Sequence, residues 1–234
     1  MDDKKAKEII DTIVGELFGL QNPYTLEQFA AKFAFDIRLT TEVFDMTTGE
    51  STWTQSNRGS TNKFMKFQNV LAAGSMEDWM KPKREINGIE DILKYWQECE
   101  LTATERTLNS IDVAKSDAIY GSQNIYRCID LHDSKNVLFS ETSHTCEFAA
   151  AVQRSQNVYY SLRVDDCNKV NKSFQVSWSG NISNCFFIKD SSNLSDCMFC
   201  SQLTDRRFCI ANMQFTEEEY RKWEKVVKAW ILSN

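Results

Sequence analysis

The chain has 234 residues, 42% of them hydrophobic, enough for one large or two small domains with a real core. Its net charge of −6 is carried wholly by residues 1–105, with 18 acidic and 12 basic side chains, while residues 106–234 hold 15 of each. No basic stripe is left for a phosphate backbone or anionic lipid, so nucleic acid and membranes are disfavoured as partners. With no apolar run of about eighteen residues and no apolar N-terminal signal, a soluble protein is expected.

Residues 3–18, DKKAKEIIDTIVGELF, place Ala6, Ile9, Ile10, Ile13, Val14 and Leu17 on one stripe of an amphipathic helix that Gly19 ends. Asn22-Pro23-Tyr24 forms a turn, and Thr25 with Gln28 reads as a capping box opening a short helix to about Phe33, stapled by Tyr24 and Phe29. From Asp36 the apolar period falls to two, through IRLTTEVFD, the turn MTTGE and STWTQS, which predicts a β-hairpin. Residues 56–64 are polar and contain glycine, so a loop is expected, and MEDWMKPKREI is irregular around Pro82. Asn87 is placed to cap a helix over Ile89–Cys99, with Glu90 at the capping-box position and Ile89, Ile92, Leu93 and Trp96 on its buried face.

Beyond Ser110 the sequence repeats. Blocks begin at Ser110, Ser122, Ser134, Ser143, Ser155, Cys167, Ser179 and Ser191, twelve residues apart except for a nine-residue block at Ser134. The consensus is Ser-x-Asn-Val-x-x-(Ser/Cys)-x-x-Val-x-x. A short fixed period means one backbone unit stacked on its copies, and twelve β-prone and turn-prone residues are too few for a helical hairpin. The unit is a β coil, of twelve or twenty-four residues. Stacking then aligns Val113, Ile125, Val137, Val158, Val170, Ile182 and Leu194 in one aliphatic ladder, and Ile119, Leu131, Val152, Val164, Val176 and Ile188 in another. Small residues alternate with them at Ser116, Cys128, Ser140, Ser161, Ser173, Cys185 and Cys197, because a narrow coil cannot hold four bulky side chains per layer. Asn at 124, 136, 157, 181 and 193 fits left-handed turns that bond to their copies in the next coil. After Gln202 the pattern fails, and Thr216 with Glu219 opens a last helix to about Leu232, its apolar stripe Tyr220, Trp223, Val227, Trp230 and Ile231. An open solenoid end exposes strand edges, so this helix is expected as a lid there and the N-terminal segment at the other end.

Several groups carry candidate chemistry. Cys185, Cys197, Cys200 and Cys209 could offer four thiolates to zinc, although the repeat alone explains three of them as small buried hydrophobes. Stacked cysteines lie within disulfide reach, and a cytoplasmic setting would keep them reduced. His132 and His144 fall at predicted turns, and no triad can be read from a sequence this rich in serine. Asp165, Asp166 and Arg163 gather beside a coil as acids do in β-helical enzymes that act on glycans. Acyltransferases built on hexapeptide coils differ in turn length and in the place of the small residue. The better clue is aromatic: Tyr126, Phe139, Tyr159, Tyr160, Trp178 and Phe186 exceed what a slender solenoid buries, so they contact either another chain or the N-terminal segment folded back.

Residues 105–232, with the repeat and the close CMFCSQLTDRRFCIANMQFTEEEY, resemble β-solenoid modules of phage and prophage virion proteins and uncharacterised Cys-rich and Ser-rich repeat proteins. The resemblance concerns architecture and carries no catalytic residue with it. The expectation is an α+β N-terminal docking domain over 1–105, a parallel β-solenoid over 106–212 and a C-terminal capping helix over 213–234. Its expected role is non-enzymatic: a multi-copy neck, tail or capsid accessory component of a tailed phage, located in the virion or otherwise in the cytoplasm, with no cofactor and other protein subunits, including its own copies, as partners. The alternatives are a β-helical enzyme acting on a glycan or acyl donor, and a zinc-stabilised adaptor.

Overall fold

The computed structural model of the chain describes residues 1–55, 63–77 and 79–233. The polar loop expected over 56–64 falls mainly outside them. Helix α1 (Asp3–Phe18) begins where the Asp2 carboxylate accepts the Lys5 N–H and ends at Gly19, whose φ of 69° is the left-handed geometry glycine adopts without strain. Its expected stripe is buried, together with Phe18. Helix α2 (Leu26–Phe33) opens with the Thr25–Gln28 capping box, and the Tyr24 ring packs edge-on against Phe33 at 5.8 Å. Strands β1 (Thr41–Phe44) and β2 (Ser51–Thr54) form the antiparallel hairpin. Strand β3 (Phe64–Lys66) runs into α3 (Phe67–Glu77), a helix whose mixed sequence gives no clear periodic signal. Helix α4 (Ile89–Cys99) follows, and β4 (Thr102–Thr104) pairs in parallel with β3.

Helix α4 departs from expectation. Its N-cap is Gly88 with no side-chain bond, the Asp91 carboxylate accepts the Asn87 N–H, and none of the helix's eleven residues is buried. The stripe expected to be buried points into solvent.

Strands β5 to β19, from Thr107–Leu108 to Thr204–Ile210, build a parallel solenoid of about nine turns. Partners lie twelve residues apart, as in Gln123 with Lys135 and Lys135 with Glu147, so one coil is twelve residues. Every third residue from Asn109 to Ala211 has positive φ, with glycine only at Gly121, so each coil is a square of four three-residue sides. A non-glycine residue in this region costs roughly 1 kcal/mol or more. The ladder hydrogen bonds and the filled interior offset that cost, coil after coil. Asn124, Asn136, Asn157, Asn181 and Asn193 all stand at such corners, and the Asn124 and Asn181 amides donate to Asn136 and Asn193 one coil on.

The inward ladders are not continuous. Val113, Ile125 and Val137 stack as expected, but Val137 then pairs with Ala149 and Ala149 with Ser161. Val158, Val170, Ile182 and Leu194 form a separate column above Ser134 and Cys146. The nine-residue block therefore does not shorten a coil. It rotates the alternation of large and small side chains by one side of the square, while the backbone keeps its twelve-residue step.

One flank of the solenoid, with Tyr126, Leu138, Ala150, Leu162, Phe174, Phe186 and Met198 along it, forms a core with α1, α2 and the last helix, α5 (Glu217–Ser233). A second core of aliphatic and cysteine side chains fills the column itself. Helix α5 lies along the final coils, with its Tyr220 hydroxyl on the Asn184 carbonyl at 3.5 Å and its ring against Phe208. The last strand edge is met by β20 (Met213–Gln214), which turns back antiparallel on β19. At the first coil, the N–H of Glu105 donates to the Trp53 carbonyl and the Thr40 hydroxyl to that of Lys115, so the hairpin segment seats on that end. No helix among the described residues is long and apolar enough to cross a membrane.

Candidate functional site

The inward serines and cysteines are committed to the backbone. On the sides where they stand, a peptide N–H has no main-chain partner, and an unmatched buried donor costs about 1–3 kcal/mol. The side chain one coil earlier supplies the acceptor. Ser122 Oγ accepts from the Ser134 N–H, Ser140 Oγ from Val152, Ser161 Oγ from Ser173 and Ser179 Oγ from Ser191, at 3.0–3.1 Å. Each of these hydroxyls also donates to the carbonyl two residues before it, at 2.7–2.8 Å. Cysteine does the same with longer bonds: Cys128 Sγ accepts from Ser140 and Cys167 Sγ from Ser179 at 3.4 Å. The sequence pattern showed these residues as small, but not that each must be a donor and acceptor at once.

Cys185, Cys197 and Cys209 occupy one column and Cys200 the next side of the square. Their sulfurs bond to main chain along the stack, and among the described residues no group of three or more His, Cys, Asp or Glu side chains could hold a metal. All eight cysteines are free thiols. Burial pushes Cys128, Cys146 and Cys167 up to about 12 and Cys209 to about 11 and also raises Cys185 and Cys200, which suppresses their thiolates, whereas the side-chain hydrogen bond with Cys185 lowers Cys197.

His132 and His144 end two neighbouring strands rather than lying in turns, and their rings stack at 4.7 Å on an exposed face with Tyr120 beneath. Asp165, Asp166 and Arg163 diverge. Arg163 reaches the Asp36 carboxylate and the Phe33 carbonyl, Asp165 pairs with Arg154, and Asp166 faces a solvent trough. Left-handed corners at both Arg163 and Asp166 turn three near neighbours onto different sides, so sequence proximity here is not spatial convergence. Burial raises the Asp165 carboxyl above its ordinary range, against the pull of Arg154.

The aromatics divide. Tyr126, Phe139 and Phe186 are buried beneath the helices, so of the two contacts expected for them it is the N-terminal segment folded back, α1 and α2, that takes up that flank. Tyr159 and Tyr160 are half-buried, with Tyr160 stacked on Phe148 at 5.0 Å. Only Trp178 of the six is open, 51% exposed, with the Lys189 ammonium 4.7 Å from its ring. It borders the trough, a shallow depression of about 850 Å³ along one corner, lined also by His144, Arg154, Asp166, Asn168 and Gly180.

Two buried carboxylates carry no repeat signal and tie the outer elements to the column. Asp117 accepts both guanidinium contacts of Arg106 at 2.9 Å, along with the Gln55 and Arg106 N–H groups. Asp196 is shared between Arg207 at 3.0 Å and Arg221 of α5 at 2.9 Å. Asp45 anchors the hairpin turn. Burial would raise its pKa, but the Thr47 hydroxyl and the N–H groups of Lys66, Thr47 and Thr48 outweigh that and hold it well below the carboxylate range. No known family model matches the chain, and no curated protein or solved structure shows significant similarity to it.

Proposed function

We propose that this chain is a non-enzymatic structural protein that works in many copies, as a neck, tail or capsid accessory component of a tailed-phage particle. The observation that supports this reading most is the occupation of the column. Its serines and cysteines, the groups that would otherwise be nucleophiles or ligands, satisfy main chain in successive coils. Large apolar side chains outside the column, by contrast, lie open in number, as an assembling subunit requires. Sedimentation velocity of the purified chain tests it, with a concentration-dependent multi-subunit species expected. A monomer at every concentration, together with failure to co-purify with particles, overturns it.

A second reading is favoured by one feature, the trough beside Trp178, where an open indole adjoins Asp166, Arg154 and His144 in the way a glycan-acting β-helix would need. Titration with oligosaccharides, followed by Trp fluorescence and repeated with Trp178→Ala, decides it. A saturable signal lost in the variant would favour the enzyme reading.

A further inference from the structure

The two ends of the solenoid are finished differently. At the last coil, β20 turns back on β19 and occupies its free edge. The first coil is met by the hairpin segment at Glu105 and Lys115, but by no strand. Among the described residues, β6 (Ile111–Ala114) pairs with β8 (Gln123–Tyr126) alone, and β5 (Thr107–Leu108) with β7 (Asp117–Tyr120) alone. Later coils show what such an edge is made for. The Arg127 N–H donates to the Ala114 carbonyl at 3.1 Å, and the Ser122 carbonyl accepts from the Ile111 N–H at 3.0 Å. Twelve residues earlier stand the Lys115 N–H and the Ser110 carbonyl, and neither has a hydrogen-bond partner among the described residues. A strand edge left in this state is a template for another strand.

A cavity of about 300 Å³ adjoins that edge. It is lined by the four inward residues of the first coil, Thr107, Ser110, Val113 and Ser116, together with Glu105 and Lys66. Of the charged side chains around it, Lys66 is held by Glu50 at 2.8 Å and Lys115 by Asp3 at 3.2 Å. Glu105 is half-buried and forms no ion pair among the described residues, and burial raises its carboxyl above the ordinary range. A desolvated carboxylate without a cation is unfavourable, so the cavity is short of one positive charge. Ile111 gives a third sign. It is 64% exposed, while Gln123, Lys135 and Glu147, which follow it on the same outward ladder, are polar. A strand laid beneath β6 would bring a side chain to about 4.8 Å from Ile111 and cover it.

We propose that the first coil takes up an extended peptide segment of another protein as one further rung, with an apolar side chain against Ile111 and a Lys or Arg on Glu105. The occupant is a peptide because only another main chain presents N–H and C=O groups at strand spacing. It is basic because the uncompensated charge in the cavity is negative. The four-residue edge spans about 13 Å at roughly 3.3 Å per residue, so a short segment covers it. The site follows from the fold alone and goes beyond both readings of function given above.

The test uses the full chain and a labelled heptapeptide, blocked at both ends, that alternates Val with Thr and carries one central Lys. Fluorescence anisotropy should show saturable binding with Kd on the order of 10–100 μM. Two further peptides carry N-methyl groups on the odd or on the even amides. One of them should bind at least about tenfold more weakly and the other should not, because a strand offers only one edge to its partner. Ile111→Lys, at an exposed position, should weaken binding about tenfold, and Glu105→Gln about three- to tenfold. The Glu105→Gln variant should bind a peptide with norleucine in place of Lys as the parent does. Unchanged far-UV circular dichroism confirms the fold of both variants. No saturation up to about 1 mM, equal effects of the two methylation patterns, or either variant binding the Lys peptide like the parent would overturn the proposal.

Discussion

Two stretches of similar apolar content, the coils of 107–210 and the segment 63–105, meet opposite fates. In the coils, each inward Val, Ile or Leu is covered by its equivalents one step up and one step down, so burial follows from repetition alone. The segment 63–105 has no copy of itself to stack on. Strand β3 is covered by the hairpin, but α4 keeps its apolar stripe in water. The difference teaches that an apolar period fixes the type of an element, while its burial depends on what lies opposite.

Truncation sharpens this contrast most. Leu162→Ala, in the core between the coils and α1, should lower folding stability by about 2–5 kcal/mol, whereas Leu93→Ala on α4 should stay within about 0.5 kcal/mol. Urea unfolding of the two variants side by side would show it, and equal losses would sink the comparison. Next in size is Ser161→Ala, which orphans the Ser173 N–H and should cost about 1–3 kcal/mol; Ser161→Cys, which keeps an acceptor, should cost less.

Acid should loosen the hairpin before the coils. The Asp45 pKa is depressed by folding, so as pH falls below about 4 the unfolded chain takes up the proton first. The contribution is therefore present above that pH and lost as pH drops toward the folded value. Trp53 fluorescence should report the loss, and Asp45→Asn should flatten it. Smallest in energy is a thiol count. Cys99 alone is exposed, so one thiol should react promptly with a maleimide and seven only in denaturant. Two or more fast thiols in the native protein would contradict the packed column.

Much of the fold was legible from residues. The stripe of α1, the Thr25–Gln28 box and the twelve-residue step all reappear in the structure, because each reflects a local period or a short-range bond. Helix α3 was not legible, since FQNVLAAGSME lacks a strong apolar face. Nor was the fate of the outward aromatics, because Phe186 beneath a helix of its own chain and Trp178 in solvent look alike in a sequence. The candidate site was legible only as composition. That inward serines bridge successive coils, and that Arg163 turns away from Asp165, depend on corners whose direction no pairwise spacing encodes.

The quarter rotation of the interior between Val137 and Ala149 bears on how the chain finds its alignment. Within either stretch the rungs are nearly interchangeable, so a shift by one rung would trade like for like and be penalised little. At the junction the trade is unlike for unlike, because Ser140, Ser143, Cys146 and Ala149 put small side chains on four successive sides, and sliding either stretch across it would set bulky ladder residues in their place. That single boundary serves as a landmark from which all other rungs are counted, and moving it by twelve residues would carry the helix-bearing flank along the axis by one rung, about 4.8 Å.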